Sequence, residues 1–218
     1  MRIPLGDPSF KLNIRCYNLY MLHTRAHKIL FLATIFYIAA FALHYLKDLN
    51  YEFLAYVGLL IGVLALIVHT LRYTRFPFYI LVALSVWGLL HMMGGGLIIG
   101  GEALYAYRLY PIFDGGGEFY ILKFDQVVHA ALYAVVGLMF YHILRSMLHI
   151  EGRTPLVALI AIMASLGVSA MNEIVEFIAV LLVPDNGVGG YYNTALDIVF
   201  NFLGAFTAVT VRVIFGKD

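Results

Sequence analysis

Residues 124–148 read FDQVVHAALYAVVGLMFYHILRSML, and between Asp125 and Arg145 they contain no Asp, Glu, Lys or Arg. An α-helix rises about 1.5 Å per residue, so roughly 20 apolar residues cross the ~30 Å hydrocarbon core of a bilayer. A run this long and this apolar predicts a membrane-spanning helix. It also opens on an acid and, four residues later, a histidine, and ionisable groups inside a span are where function is sought.

Five more runs of the same kind lie at residues 26–46, 51–71, 77–100, 155–183 and 192–215. The fifth run in chain order, 155–183, is long enough to tilt or protrude. Pro77 and Pro155 stand near helix starts, where a missing amide hydrogen costs little. The 218 residues are 62% hydrophobic and 12% charged, with a mean hydropathy of +0.88, and a soluble domain needs far more polar surface than that. The expected fold is therefore all-α: a polytopic membrane protein of about six transmembrane helices. Residues 1–25 form a cytoplasmic or interfacial N-terminal segment, and 26–218 a single transmembrane domain. The partner so implied is the lipid bilayer.

Lysine and arginine orient the bundle. Arg2, Lys11, Arg15, Arg25, Lys28, Arg72, Arg75, Arg145, Arg153, Arg212 and Lys217 fall on one side, 11 of the 14 basic residues, against Lys47, Arg108 and Lys123 on the other. The basic side is expected in the cytoplasm, with both termini. A net charge of +1 gives no basis for a nucleic-acid partner, and protein partners are not legible. The single cysteine, Cys16, excludes an intrachain disulfide and reads as a free thiol. The first apolar run begins after about 25 mostly polar residues, too late for a cleavable signal. The aromatic and basic stretch 9–22 is expected to rest on the inner membrane surface.

The longest connection, 101–123, falls on the outer side. Gly115, Gly116 and Gly117 there predict a mobile loop or tight turns, and Tyr105, Tyr107, Tyr110 and Tyr120 suit the headgroup level. Gly94, Gly95, Gly96, Gly100 and Gly101 end the third helix. They permit either close helix approach or unwinding, or they simply mark a frayed end.

Residues three or four apart share a helix face. Asp125, His129 and Tyr133 form one stripe; Ser165, Ser169, Glu173 and Glu176, beside Asn172, form another; Asn193, Asp197 and Asn201 form a third. Counted from each span's midpoint, these acids, His129, Asn201 and His91 of the third helix all lie in the outer half. The inner half holds no carboxylate. The simplest packing gathers the stripes into one pocket open to the outer face, since charges facing lipid would go unpaired.

Four carboxylates and up to two imidazoles suit a divalent metal, with imidazole shifting the preference toward zinc, manganese or iron. Proton-sharing carboxylate pairs and a purely structural polar core remain as other readings. Taken singly, His91 reads better as a satisfied core histidine, and Asn201 and the serines as helix–helix hydrogen-bonding groups. Taken together, the acids need more neutralisation than His129 and His91 supply. Asp125, His129, Glu173 and Asp197 are the candidate metal ligands, Glu176 the candidate general base, and His91, Asn172 and Asn201 line the pocket. Three functions follow: a metal-dependent enzyme on a lipid-linked or envelope substrate, an ion-coupled transporter or permease, or a non-catalytic binding or scaffold protein.

The order of these residues resembles a known family. It runs from His91 and its glycine-rich stretch to Phe124-Asp125-Gln126-Val127-Val128-His129, then Asn172-Glu173-Ile174-Val175-Glu176, then Asp197-Ile198-Val199-Phe200-Asn201-Phe202-Leu203-Gly204. This is similar to the YjdF-like family of bacterial and archaeal inner-membrane proteins, from His91 through residue 204 and on to the C-terminus. The second half is also similar to the VanZ-like pattern. However, Glu176 stands where that pattern commonly has Gln, and the arginine that often follows is missing, which favours the YjdF-like side. The resemblance implies a multi-pass protein of the inner membrane and carries no catalytic assignment.

Overall fold

Six apolar runs become six helices because each has the length to satisfy its own backbone across a bilayer. The computed structural model describes residues 24–117, 119–147, 150, 155–182 and 190–216. Its helices are α1 (Arg25–Lys47), α2 (Tyr51–Thr74), α3 (Phe78–Gly96), α4 (Phe124–Met147), α5 (Pro155–Leu182) and α6 (Tyr191–Phe215). All six are long and apolar enough to cross a membrane, so the chain is an all-α multi-pass membrane protein. Cys16 and the interfacial stretch 9–22 lie outside the described residues.

Helix ends follow local chemistry. Thr24 caps α1 and Asn50 caps α2, each accepting from a backbone amide three residues on, which satisfies orphan donors of the first turn. Pro77 caps α3 and Pro155 opens α5. Arg72, Arg145 and Arg212 sit in the last turns of α2, α4 and α6, where a cation complements the helix dipole.

The third helix stops at Gly96, four residues short of the expected end. Gly100 and Gly101 instead form a turn with φ of +65° and +93°, joining β1 (Ile98–Ile99) to β2 (Glu102–Ala103). A short 3₁₀ turn, Leu104–Ala106, follows. Then β3 (Arg108–Asp114) pairs antiparallel with β4 (Tyr120–Lys123). Gly116 and Gly117, both at positive φ, make the turn between them. The long connection between α3 and α4 is thus two small hairpins. Tyr107 and Tyr110 are exposed there, but Tyr120 is buried and Tyr105 turns inward onto α3.

The glycines that end α3 stay helical and buried. A Cβ on Gly94 would strike the Tyr105 ring, one on Gly95 the Phe53 ring and one on Gly96 the Phe41 ring. They serve close approach to aromatic side chains, and the helix does not unwind at them.

Apolar packing divides into three clusters. Ile38, Tyr45, Val57, Leu60 and Met92 join α1, α2 and α3. Phe76, Ile80 and Val135 join α3 to α4. Tyr133, Tyr141, Val157, Ala161, Ile162, Ala205 and Val209 join α4, α5 and α6. Outside these, Leu32, Phe36, Leu66, Phe177 and Phe215 are exposed, as expected of a surface solvated by lipid tails.

The closest pairing is α4 with α6. A Cβ on Gly204 would lie 2.0 Å from the Ala130 carbonyl oxygen, and one on Gly137 only 3.3 Å from the Ala205 Cα. Small residues bring the two backbones together, the usual route to tight association in lipid. In the first turn of α4, the Gln126 side chain locks the hairpin to the helix. Its oxygen accepts from the Leu122 and Lys123 amides (2.7 and 3.0 Å), and its nitrogen donates to the Tyr120 carbonyl (3.0 Å).

Gly204→Ala should lower stability by about 1–3 kcal/mol, since backbone must move to admit the methyl group. Gly62→Ala, which meets nothing within 4 Å, should leave stability unchanged or raise it by up to about 1 kcal/mol. Thermal unfolding in detergent separates the two. Gln126→Leu leaves two amides and a carbonyl unmet and should cost about 1–3 kcal/mol in the same assay; a neutral result would show that the hairpin does not depend on this anchor.

Candidate functional site

Helix period does the first work of assembly. Asn193, Asp197 and Asn201 recur every four residues on α6, and all three are buried. Because Gly204 draws this helix against α4, their stripe meets the stripe of Asp125 and His129. Helix α5 brings Ser165, Ser169 and Glu173, all buried, together with Glu176.

His129 stands at the junction of the three helices. Its Nδ1 lies 3.2 Å from Asn201 Oδ1, while the Asn201 nitrogen donates to Ser169 Oγ at 2.7 Å. That orientation makes Asn201 Oδ1 the acceptor and His129 Nδ1 the donor. The other ring nitrogen, Nε2, then faces Asp125 Oδ1 at 3.5 Å and Glu176 Oε1 at 4.0 Å. A histidine with one nitrogen tied back by an amide and the other aimed at carboxylates has the arrangement of a metal-binding imidazole. It equally suits an imidazolium paired with Asp125.

The carboxylates are held by amides in turn. Asn193 Nδ2 donates to Asp197 Oδ2 at 2.7 Å and reaches Asp125 Oδ2 at 3.5 Å. Its carbonyl oxygen accepts from Lys123 Nζ at 2.5 Å. Asn172 Nδ2 donates to Glu176 Oε1 at 2.7 Å. Three oxygens are left over: both of Glu173 and Oδ1 of Asp197 are buried without a hydrogen-bond partner. Asp197 has no exposed surface and Glu173 only 9%. Unmet buried acceptors are rare in folded proteins and call for a physical reason.

Two groups of ligand atoms come within 4.8 Å of one another: Asp125, His129 and Asp197, and Glu173, Glu176 and Asp197. Metal–oxygen and metal–nitrogen bonds of about 2.0–2.6 Å place two ligands of one ion at most about 4–5 Å apart, so either group has the spacing of a site. Asp197 belongs to both. Glu173 falls with Glu176 and Asp197 rather than with Asp125 and His129, and Glu176 sits among the oxygen donors instead of apart from them.

His91 belongs to neither group. It lies among Trp87, Tyr56 and Tyr105, with ring centroids at 5.3, 5.7 and 5.8 Å. The Tyr105 hydroxyl donates to the His91 carbonyl at 3.0 Å, and His91 Nδ1 bonds to the same phenol oxygen. Burial, and then the charge of Asp125, push the Tyr105 phenol well above its ordinary range, so it stays protonated. Its one proton goes to the carbonyl, which leaves His91 Nδ1 as the donor.

Some contributors carried no mark in the sequence. Tyr105 meets His91 only because the hairpin folds back over α3, and Lys123 reaches Asn193 from the strand preceding α4. Gln126 is adjacent to Asp125, but only the turn it ties down reveals its role. Asn193 was visible in its stripe, though nothing distinguished it as the group that orients Asp197.

Below the cluster, the α4–α5–α6 core closes. Tyr133, Val157, Ala161, Ala205 and Val209 are each at most 2% exposed, and Ser165 donates to the Tyr133 carbonyl at 3.2 Å. Among the described residues this core carries no ionisable side chain other than the phenols of Tyr133 and Tyr141.

Neither a curated protein nor a solved structure matches the chain. Residues 28–218 match a family model described as a predicted membrane protein, DUF2238. That span takes in all six helices except the first turn of α1, and with them every residue of the cluster. The chain therefore belongs to the DUF2238 family of predicted membrane proteins, the YjdF-like family.

Proposed function

We propose that the protein is a metal-dependent enzyme of the cell's inner membrane, acting on a lipid-linked or envelope substrate from the outer face. The observation that supports it best is the convergence of unpartnered carboxylate oxygens. Glu173 and Asp197 present three buried acceptors with no donor, beside Glu176 and the Asp125–His129 pair. Inside a bilayer such charge persists only with a cation or a proton to balance it.

On this reading Asp125, His129 and Asp197 hold a divalent ion, Glu173 joins them from the second group by a shift of its side chain, and Asn193 and Asn201 orient two of the ligands. When bound, such an ion would supply a water acidified toward a pKa of about 7, a nucleophile at neutral pH. Glu176, with one oxygen fixed by Asn172, would be the general base that accepts a proton there. The positive-side bias supports an outer-leaflet position for the cluster, within reach of a substrate at headgroup level, with residues 26–218 as one domain.

Transport is less well supported. A permease needs a polar route to both faces. The layer under the cluster is packed with apolar side chains, and the α3 glycines do not break their helix. A structural polar core is the better second reading, because Asn201–Ser169 and Asn201–His129 each join two helices.

Elemental analysis of purified protein should find at least one divalent ion per chain, lost in Asp197→Asn, which removes a charge from both ligand groups. Asn201→Ala should weaken metal affinity about 10–100-fold by freeing the imidazole. Protein that stays folded and metal-free when offered manganese or zinc would overturn the proposal, and Glu173→Gln would then mainly lower thermal stability, as expected of a structural core. For the orientation, a cysteine at Gly116 in a Cys16→Ser background should react with an impermeant maleimide from outside the cell, and one at Lys28 only after lysis; the reverse pattern would place the cluster on the cytoplasmic side.

A further inference from the structure

Helices α1, α2 and α3 close on one another at one end only. Their buried cluster of Ile38, Tyr45, Val57, Leu60 and Met92 fills the half nearer the hairpins, and no residue of α2 beyond Leu60 is buried. The other half leaves an apolar slot of about 100 Å³ that runs from His27 to Trp87. We infer that this slot seats an acyl chain of an anionic phospholipid, whose phosphate meets His27 and Arg72 at the mouth. The site lies apart from the acidic cluster and does not depend on the metal reading.

Helix periodicity builds the slot. Its α1 wall takes the residues of one face from His27 to Ile38, and its α2 wall those of one face from Leu60 to Leu71, at the spacings of three and four that share a side of a helix. Leu81, Leu84 and Ser85 of α3 form the floor. Hydroxyl groups hold α1 to α3 and satisfy one another. Thr34 Oγ1 donates to the Leu30 carbonyl at 2.8 Å and accepts from Ser85 Oγ at 2.6 Å, and the Tyr37 hydroxyl donates to the Ser85 carbonyl at 2.9 Å. From His27 to Ile38 the helix rises about 16 Å, and one leaflet is half of the ~30 Å hydrocarbon core. The slot is therefore as deep as the chain region of a single leaflet.

At the mouth, His27 Nε2 and Arg72 Nε are buried without a hydrogen-bond partner. The His27 ring packs on the Phe78 ring, centroids 4.7 Å apart, and its Nδ1 bonds to the Thr24 hydroxyl. With that hydroxyl accepting from the His27 amide and donating to Nδ1, the ring's own proton falls on Nε2. Arg72 continues the stripe of Leu60, Leu64 and Val68 at four-residue spacing, which carries it to the rim. Its guanidinium lies 4.5 Å over the Tyr73 ring, a contact that gives Nε no acceptor. Arg25 and Lys28 are exposed at the same end. Buried donors left in this state are rare and call for an acceptor.

A simpler account is that any acyl chain of the bilayer fills the slot. That explains the apolar walls but not the donors at the mouth. A phosphate supplies the acceptors both need, at the level where the polar end of the lipid must lie, and basic clefts between transmembrane helices are the usual seats of anionic headgroups. The chain's own residues 1–23 match the mouth poorly, since they hold Arg2, Lys11 and Arg15 against one acid, Asp7. A third unmet donor, Trp87 Nε1, lies about 13 Å along α3 from Phe78, out of reach of the headgroup.

Native mass spectrometry of the full chain tests this by following retention of phosphatidylglycerol against phosphatidylcholine. Wild type should favour phosphatidylglycerol by roughly fivefold or more. The H27L/R72Q double variant should lose that preference, and so should Ile67→Trp, which fills the slot. Lys47→Gln, a basic residue at the other end of α1, should keep it. A second measurement needs no variant. Phosphatidylglycerol with a photoreactive group midway along one acyl chain should label Leu30, Ile67 and Leu84, and unlabelled phosphatidylglycerol should compete. Absence of a preference in wild type would overturn the inference, as would a preference undiminished in either folded variant. If neither variant folds, the labelling decides: label spread evenly over outward residues such as Phe177 and Phe215, or a slot left unlabelled, overturns it.

Discussion

A carboxylate at the centre of a membrane helix costs on the order of 2.5–3.5 kcal/mol on insertion scales. This chain brings four carboxylates around one imidazole. Asp125 is 3.5 Å from His129 and Glu176 is 4.0 Å from it, yet one ring carries at most one positive charge. Lys123 adds a cation only through Asn193. The rest of the architecture around α4, α5 and α6 answers to that imbalance. Four amide side chains are spent on the problem. Asn193 and Asn172 donate to carboxylates, Asn201 fixes the imidazole, and Gln126 secures the segment that delivers Lys123 and Asp125. Even so, both oxygens of Glu173 and one of Asp197 remain unmet. In a low-dielectric interior an unmet charge is the costly case, whereas a charge with a partner is tolerable.

Close helix packing is what allows this concentration. The crossing of α4 and α6 is set by Gly204 against Ala130 and Gly137 against Ala205. It excludes lipid from the polar face and seals the lower half with Ala161, Ala205 and Val209. One helix pair therefore organises both ends of the molecule. At one end it gathers acids, and toward the other it closes the core around Ala205 and Val209. Helices α1 to α3 take a different part. Their aromatic rings pack on the glycines of α3 and hold Tyr105 over His91.

Much of the fold was legible in the sequence because length and hydropathy are decisive for a spanning helix. Residues 124–148 predicted α4 to within one residue, and the run at 192–215 predicted α6 equally well. The third run failed at its end. Ile98 and Ile99 are as apolar as the helix before them, and only the positive φ of Gly100 and Gly101 shows that the chain has turned into a hairpin. Stripes within a helix were legible too, since four-residue spacing puts Asn193, Asp197 and Asn201 on one face whatever surrounds them. The partner of each stripe was not, because it depends on how the helices are rotated against one another. Glu173 therefore fell among the acids of one group and not with His129. Contacts carried by loops left no pattern at all. Tyr105 looked like one of four interfacial tyrosines, but it is the group that fixes the His91 tautomer.

The central claim is that a cation completes the carboxylate cluster around Asp197. Anomalous diffraction from crystals of the full chain grown with manganese tests it most directly. The account predicts a manganese peak about 2.0–2.6 Å from Asp197 Oδ1 and from oxygens or nitrogens of at least two neighbours in its ligand groups. It is contradicted by a cluster with no peak in which Glu173 and Asp197 close to about 2.5–2.7 Å, the separation of carboxyl groups sharing a proton.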